Sequence, residues 1–281
     1  MPETIILYPG CLVLYRFPEY ELAAKVLLQH LGYRVTSLPE TLCCGSFLEG
    51  VTPSWVNYTA YNLALAEKVD APVVTLCGGC TNTFRRFQQR FQADPQLREQ
   101  VNTRLGQAGL ALTGPVQVEH LIQVLWQRRR ELQAMVTRPL PFQVNPVYPC
   151  QVYRPGEVMK FDDPLKPRTM ADLVSLAGAI AVPYPGEYQC CGSSLYMIQP
   201  ELALAMGKNR VAEMQASGAD LAVTACGNCH LLLQRLQPQY LHGTPFPIIF
   251  LPQLMGLALG LAPAHLGLTS RALRRLLTLV S

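Results

Sequence analysis

Ten cysteines fall into two sets of five with the same internal order, and no other feature of the chain restricts its fold so tightly. The first set is Cys11, Cys43, Cys44, Cys77 and Cys80; the second is Cys150, Cys190, Cys191, Cys226 and Cys229. Each set reads as a lone Cys, an adjacent pair followed by Gly, then C-x-x-C. The offsets between matching members are 139, 147, 147, 149 and 149 residues. Two complete sets rarely agree so closely by chance, which makes the chain a tandem duplication.

The flanks repeat with the cysteines. Tyr8-Pro9 precedes Cys11 as Tyr148-Pro149 precedes Cys150, each after an extended apolar run. Cys43-Cys44-Gly45-Ser46 corresponds to Cys190-Cys191-Gly192-Ser193, and Val73-Val74-Thr75-Leu76-Cys77 to Ala222-Val223-Thr224-Ala225-Cys226. The segment from Gly114 to Leu121 returns as Phe246 to Leu251.

Short runs with β-branched residues read as strands. Between them the patterns predict helices over Glu19–Leu31, Trp55–Val69, Thr81–Gly106 (broken near Pro95), Val118–Ala134, Thr169–Gly178 and Pro200–Ala216. Strands alternating with helices imply parallel α/β units, two Rossmann-like domains in tandem related by pseudo-two-fold symmetry. The proline-bearing stretch from Val136 to Phe142 is the expected linker. It divides the chain into a first C-C-G cysteine-rich domain (1–138), a second (139–268) and a tail (269–281). Many of the cysteines then follow strand ends, where open α/β sheets gather functional groups.

With 49% apolar and 15% charged residues in 281, the chain has ample material for cores and is too apolar for disorder. A net charge of +4 without a basic stripe argues against a nucleic-acid partner. The first residues lack the pattern of a signal peptide, and no apolar run reaches the length of a membrane span. A cytoplasmic protein is expected, with room for peripheral contact at the cytoplasmic membrane face.

Ten thiols in a reducing compartment point to metal or redox chemistry rather than structural disulfides. Bridging adjacent cysteines to each other would also be strained. Zinc takes four tetrahedral ligands; each set here offers five, two of them vicinal. Cys226-Gly227-Asn228-Cys229-His230 matches the C-x-x-C-H of haem attachment, but its repeat, Cys77-Gly78-Gly79-Cys80-Thr81, lacks the histidine. Iron–sulfur clusters fit best, because thiolates are their ligands and the neighbouring glycines allow close backbone approach.

On these motifs the chain resembles the cysteine-rich C-C-G domain proteins, and more closely the heterodisulfide reductase subunits of that family, over nearly its whole length. The resemblance implies two non-cubane 4Fe–4S clusters. By position, Cys11, Cys43, Cys44, Cys77 and Cys80 would hold the first, and Cys150, Cys190, Cys191, Cys226 and Cys229 the second, with one member of each Cys-Cys pair bridging irons. It implies too that both clusters face one cleft, where a small disulfide is split as one electron arrives at each. The reacting atoms are then cluster irons at the domain interface, and no catalytic side chain is assigned. No flavin motif or ferredoxin-like cysteine run is present, so the electrons must come from partners, a flavoprotein or ferredoxin-like iron–sulfur subunits or both. A second employment of the family is the membrane-peripheral, quinone-linked subunit of succinate dehydrogenases that lack transmembrane anchors. A third reading keeps the clusters as electron relays with no substrate site.

The tail bears on that choice. Leu273, Leu276, Leu277 and Val280 share one helical face and Arg271, Arg274 and Arg275 lie towards the other. A basic amphipathic helix of this kind suits an anionic membrane surface or a partner protein. Trp55, Tyr58, Tyr61, Tyr148, Tyr153, Tyr184 and Tyr188 read better as core than as cleft lining. Arg16, Arg154, Lys160 and Lys208 read as surface charge, and His120 and His230 as structural residues.

Overall fold

Each half of the chain builds its own four-stranded, all-parallel sheet. The computed structural model describes residues 3–38 and 40–268; the amphipathic tail predicted at 269–281 lies outside them. The first sheet holds β1 (Thr4–Tyr8), β2 (Arg34–Thr36), β3 (Val73–Thr75) and β4 (Val118–His120) in the order β2-β1-β3-β4. The second holds β5 (Gln143–Val147), β6 (Ile180–Ala181), β7 (Leu221–Thr224) and β8 (Ile248–Phe250) in the order β6-β5-β7-β8. The two orders are one topology used twice, as the cysteine repeat requires.

Parallel pairing demands a crossover after every strand, and the helices supply it. Pro18–His30 carries Pro at its start, Glu19 and Glu21 in the first turn and His30 in the last, an arrangement that suits the helix dipole. It buries Tyr20, Ala23, Ala24, Leu27 and Leu28, one face at helical spacing. Trp55–Val69 and Pro200–Ala216 form over the predicted residues. Asp94 explains the break near Pro95: it caps a new helix, Pro95–Gly106, by accepting the amides of Gln96 and Leu97. The helix before it starts at Gly78, three residues earlier than predicted, because Cys77 already stands at its N-terminal cap.

One predicted helix is corrected. Val118–His120 is not the start of the helix predicted to Ala134 but strand β4, paired in parallel with β3. The apolar spacing at Val118 fits either period, and partnering with β3 decides it. His120 ends the strand. Its Nδ1 accepts the Ile122 amide at 3.2 Å while its own amide donates to Gln123 Oε1 at 2.9 Å, a capping box opening Leu121–Gln127. Gln253 Oε1 accepts the Phe250 amide at 2.9 Å in the same way.

The repeat also slips at one point. Tyr8 pairs with Thr75, whereas Val147, not Tyr148, pairs with Thr224. The extra residue Gly10 sets the offset, so the two tyrosines do different work. Tyr8 Oη donates to the Leu42 carbonyl at 2.6 Å, and Tyr148 Oη accepts the Ala171 amide at 3.3 Å.

The largest apolar cluster belongs to both halves. Leu27 and Leu28 of the first join Leu251, Leu254 and Met255 of the second, as Pro18–His30 packs on Leu251–Ala258. Smaller clusters fill the outer side of each sheet. The halves are thus fused back to back across an apolar seam, which fixes their strand ends relative to one another.

Candidate metal centre at the junction of the halves

In the strand order β2-β1-β3-β4 the crossovers leave in opposite directions from β1 and β3, so a crevice opens at their carboxyl ends. Cys11 begins the short helix after β1, and Cys77 caps the helix that leads away from β3. In the second half Cys150 follows β5 and Cys226 follows β7. The two crevices meet in one cavity of about 180 Å³. Nine of the ten cysteines line it, all but Cys43.

Sulfur faces sulfur along one unbroken path. It runs from Cys11 to Cys43, Cys44, Cys80 and Cys77, crosses to Cys226, and continues through Cys229, Cys191 and Cys190 to Cys150, each thiol close enough to act on the ionisation of the next. The path is palindromic, and the Cys77–Cys226 contact lies where the halves meet. All ten predicted site residues are therefore brought together. None is in a disulfide, and among the described residues no three Cys, His, Asp or Glu side chains close around a point where a single ion would sit.

Such crowding forces some sulfurs to give up their protons. Cys43, held by hydrogen bonds from Cys11 and then Cys44, is brought down to about 2. Cys190 reaches about 2 in the same way, through Cys150 and then Cys191. Their donors Cys11 and Cys150 are pushed far up by that same bond and by burial. A set of five thiols drawn this close, with backbone amides aimed at the sulfurs, suits a polynuclear thiolate-ligated centre better than a lone ion. The Gly192 amide donates to Cys190 Sγ at 3.4 Å and the Ser193 amide to Cys191 Sγ at 3.5 Å. In the first half the Gly45 and Ser46 amides serve Cys43 and Cys44.

That loop geometry depends on glycine. Gly45 and Gly192 sit at φ +88° and +91°, where an L side chain is disfavoured. A Cβ on Gly45 would also lie 2.8 Å from the Trp55 carbonyl oxygen, and one on Gly192 3.0 Å from Met206 Sδ.

Several residues that the spacing did not single out complete the site. Ser46, Gln151, Ser193 and Asn228 line the cavity. Ser193 Oγ is buried with no protein partner, and Asn228 Nδ2 reaches across the junction to Cys77 Sγ at 3.9 Å. Behind the first C-C-G loop, Asn62 accepts the Leu42 amide at 2.9 Å and donates to the carbonyls of Leu42 and Cys43 at 3.2 Å. A polar residue on the inward face of an otherwise apolar helix is the sequence signal that would have found it. Of the seven aromatic residues named above, Trp55, Tyr148, Tyr153 and Tyr184 are core, Tyr61 and Tyr188 are half-buried and Tyr58 is exposed; none lines the cavity. His120 and His230 are buried as well, outside the cavity.

The cysteine-rich CCG domain model matches residues 5–85 and 144–234, once in each half. The chain belongs to the CCG cysteine-rich domain family. Its relatives extend the likeness over the full length. It is 29% identical to a subunit of the ferredoxin:CoB-CoM heterodisulfide reductase of Methanosarcina mazei, covering 98% of this chain and 95% of that protein. It is also 29% identical to the 8-methylmenaquinol:fumarate reductase membrane anchor subunit of Wolinella succinogenes, covering 95% and 96%. The fold is shared with a hypothetical protein from Helicobacter pylori at a TM-score of 0.73 and 17% identity, over 96% of this chain and 52% of that one. Among the described residues no helix is long and apolar enough to cross a membrane.

Proposed function

We propose that this CCG protein is the iron–sulfur subunit of a multi-subunit oxidoreductase that passes electrons from a partner subunit to a disulfide-type substrate. The observation that carries the reading is the unbroken path of ten thiols, five from each half, nine of them lining one cavity. Cys11, Cys43, Cys44, Cys77 and Cys80 would hold one non-cubane 4Fe–4S cluster and Cys150, Cys190, Cys191, Cys226 and Cys229 the other. When bound, such a pair supplies two one-electron sites beside one cavity, the two electrons that opening a disulfide requires. The chain itself contributes the enclosure. Backbone amides at Gly45, Ser46, Gly192 and Ser193 neutralise sulfur charge, while Ser46, Ser193, Gln151 and Asn228 offer hydrogen bonds to a molecule in the cavity. The electron donors would be flavoprotein or ferredoxin-like iron–sulfur subunits. The division into 1–138 and 139–268 belongs to the same reading, one cluster to each domain.

A quinone-linked role is the second reading. It is favoured by the likeness, at the same 29% identity, to a protein named as the membrane anchor of a menaquinol:fumarate reductase, and by the basic amphipathic sequence of residues 269–281. That tail would hold the protein at the membrane surface.

Metal and sulfide analysis of the native protein tests the common core of both readings. About four iron and four acid-labile sulfide per cluster are expected; stoichiometric zinc would overturn it. Cys44→Ser and Cys191→Ser should each remove one paramagnetic signal and spare the other. Isolation of the native complex then separates the readings through the oxidoreductase subunits that accompany this chain.

A further inference from the structure

The duplication makes the two cysteine sets alike, but the side chains that brace them differ in charge. Behind the first C-C-G loop stands Asn62, a neutral amide, bonded to Leu42 and Cys43. Behind the second stands Arg210, on the equivalent helix Pro200–Ala216. Its Nη1 donates to the Gln189 carbonyl at 2.6 Å, immediately before Cys190. Its Nη2 donates to the Glu187 carbonyl at 3.0 Å and its Nε to Tyr184 Oη at 3.1 Å. Only 4% of Arg210 is exposed.

All three acceptors are uncharged. The ion pairs within 4.0 Å among the described residues are Arg86–Glu49, Arg128–Glu131 and Arg235–Glu19. Neither Glu187 nor Glu213, both close by in the structure, pairs with this guanidinium. A buried charge without a counter-ion is costly, so a buried arginine calls for negative charge nearby. The guanidinium is aimed instead at the second C-C-G loop, through the carbonyl of Gln189, the residue immediately before Cys190.

Resting on the cluster reading above, we propose that Arg210 is a positioning and charge-setting residue that makes the second site the more readily reduced of the two. The first of the two electrons supplied by the partner would then reside beside Cys190. A thiolate-held centre becomes more negative when it takes an electron, and a fixed cation nearby in a poorly screened interior favours that form. The first site has a compensating feature, the Asn228 amide on Cys77. A neutral donor at 3.9 Å is a weaker influence than a full buried charge.

The test is a redox titration of the intact native protein, with dithionite as one-electron reductant and paramagnetic resonance as readout. Cys44→Ser leaves the second-site signal and Cys191→Ser the first-site signal, which assigns each. The second site should show the higher midpoint potential. Arg210→Gln should lower that potential and leave the first site where it was, while Arg210→Lys, which keeps the charge and loses the fork, should retain most of it. The proposal is overturned by a first site with the higher potential, by an unmoved second site in Arg210→Gln, or by Arg210→Lys falling as far as Arg210→Gln. Should Arg210→Gln fail to hold metal, the comparison of the two native sites decides. Failure of the cluster reading itself is seen separately, as absence of iron and sulfide from the native protein, and it removes this proposal as well.

Discussion

Tyr20, in the first half of the chain, donates its phenol hydrogen to the carbonyl of Ala225 at 3.0 Å, 205 positions later and next to Cys226. Its ring lies flat on Phe250 at 4.1 Å, and Phe250 in turn stacks on His230 at 4.2 Å. One side chain from the first half thus fixes the strand end that carries a cysteine of the second. A bond of this kind ties the two cysteine sets into one geometry.

Tyr20→Phe should keep the stack and leave the Ala225 carbonyl buried without a donor. A loss of about 1–3 kcal/mol is expected, read as a lower midpoint in urea denaturation with the slope unchanged. A variant as stable as the native protein would mean that water replaces the phenol.

Gly45→Ala and Gly192→Ala should each damage one site. Each places an L residue at positive φ, at a cost of about 1–2 kcal/mol, and adds a close contact, 2.8 Å to the Trp55 carbonyl oxygen in the first case. Iron content should fall by half in either variant and nearly to zero in the double variant. Full iron in both single variants would show that the loops bind without this conformation.

His120 gives the fold an acid limit. Burial, above all, brings its imidazole from an ordinary value of 6.5 down to about 4, so the folded state prefers it neutral. In the unfolded chain it takes up a proton near pH 6.5. Its contribution to stability is therefore complete above that pH and is lost as the pH falls towards 4, with a slope of about 1.4 kcal/mol per pH unit at most. His120→Asn can still cap the helix but cannot titrate, so its denaturation midpoint should depend less on pH between 6.5 and 4. Identical pH profiles would rule this out.

Removal of residues 269–281 distinguishes the two proposed employments. If the basic amphipathic tail holds the protein at an anionic membrane, the truncated chain should move from the membrane fraction to the supernatant with its iron retained. An unchanged distribution would remove the main support for the quinone-linked role.

The cysteine spacing established the duplication and the ten residues that meet at the junction, and the alternation of short apolar runs with helical patterns established the α/β class. This was legible because strands, helices and turns leave local periodic marks, and because a repeated spacing exposes a repeated fold. Val118–His120 reads as helix in the sequence because three residues carry too little periodicity to separate a strand from a helix's first turn; pairing with Val73–Thr75 settles it. Only the tertiary structure decided that Cys77 meets Cys226, that Tyr20 supports Ala225, and that neutral Asn62 and charged Arg210 stand behind equivalent loops. Those contacts join residues far apart in the chain, and they arise when the apolar seam around Leu27, Leu28, Leu251 and Leu254 locks the two halves at a fixed angle. Local sequence specifies each half; burial between the halves specifies the site.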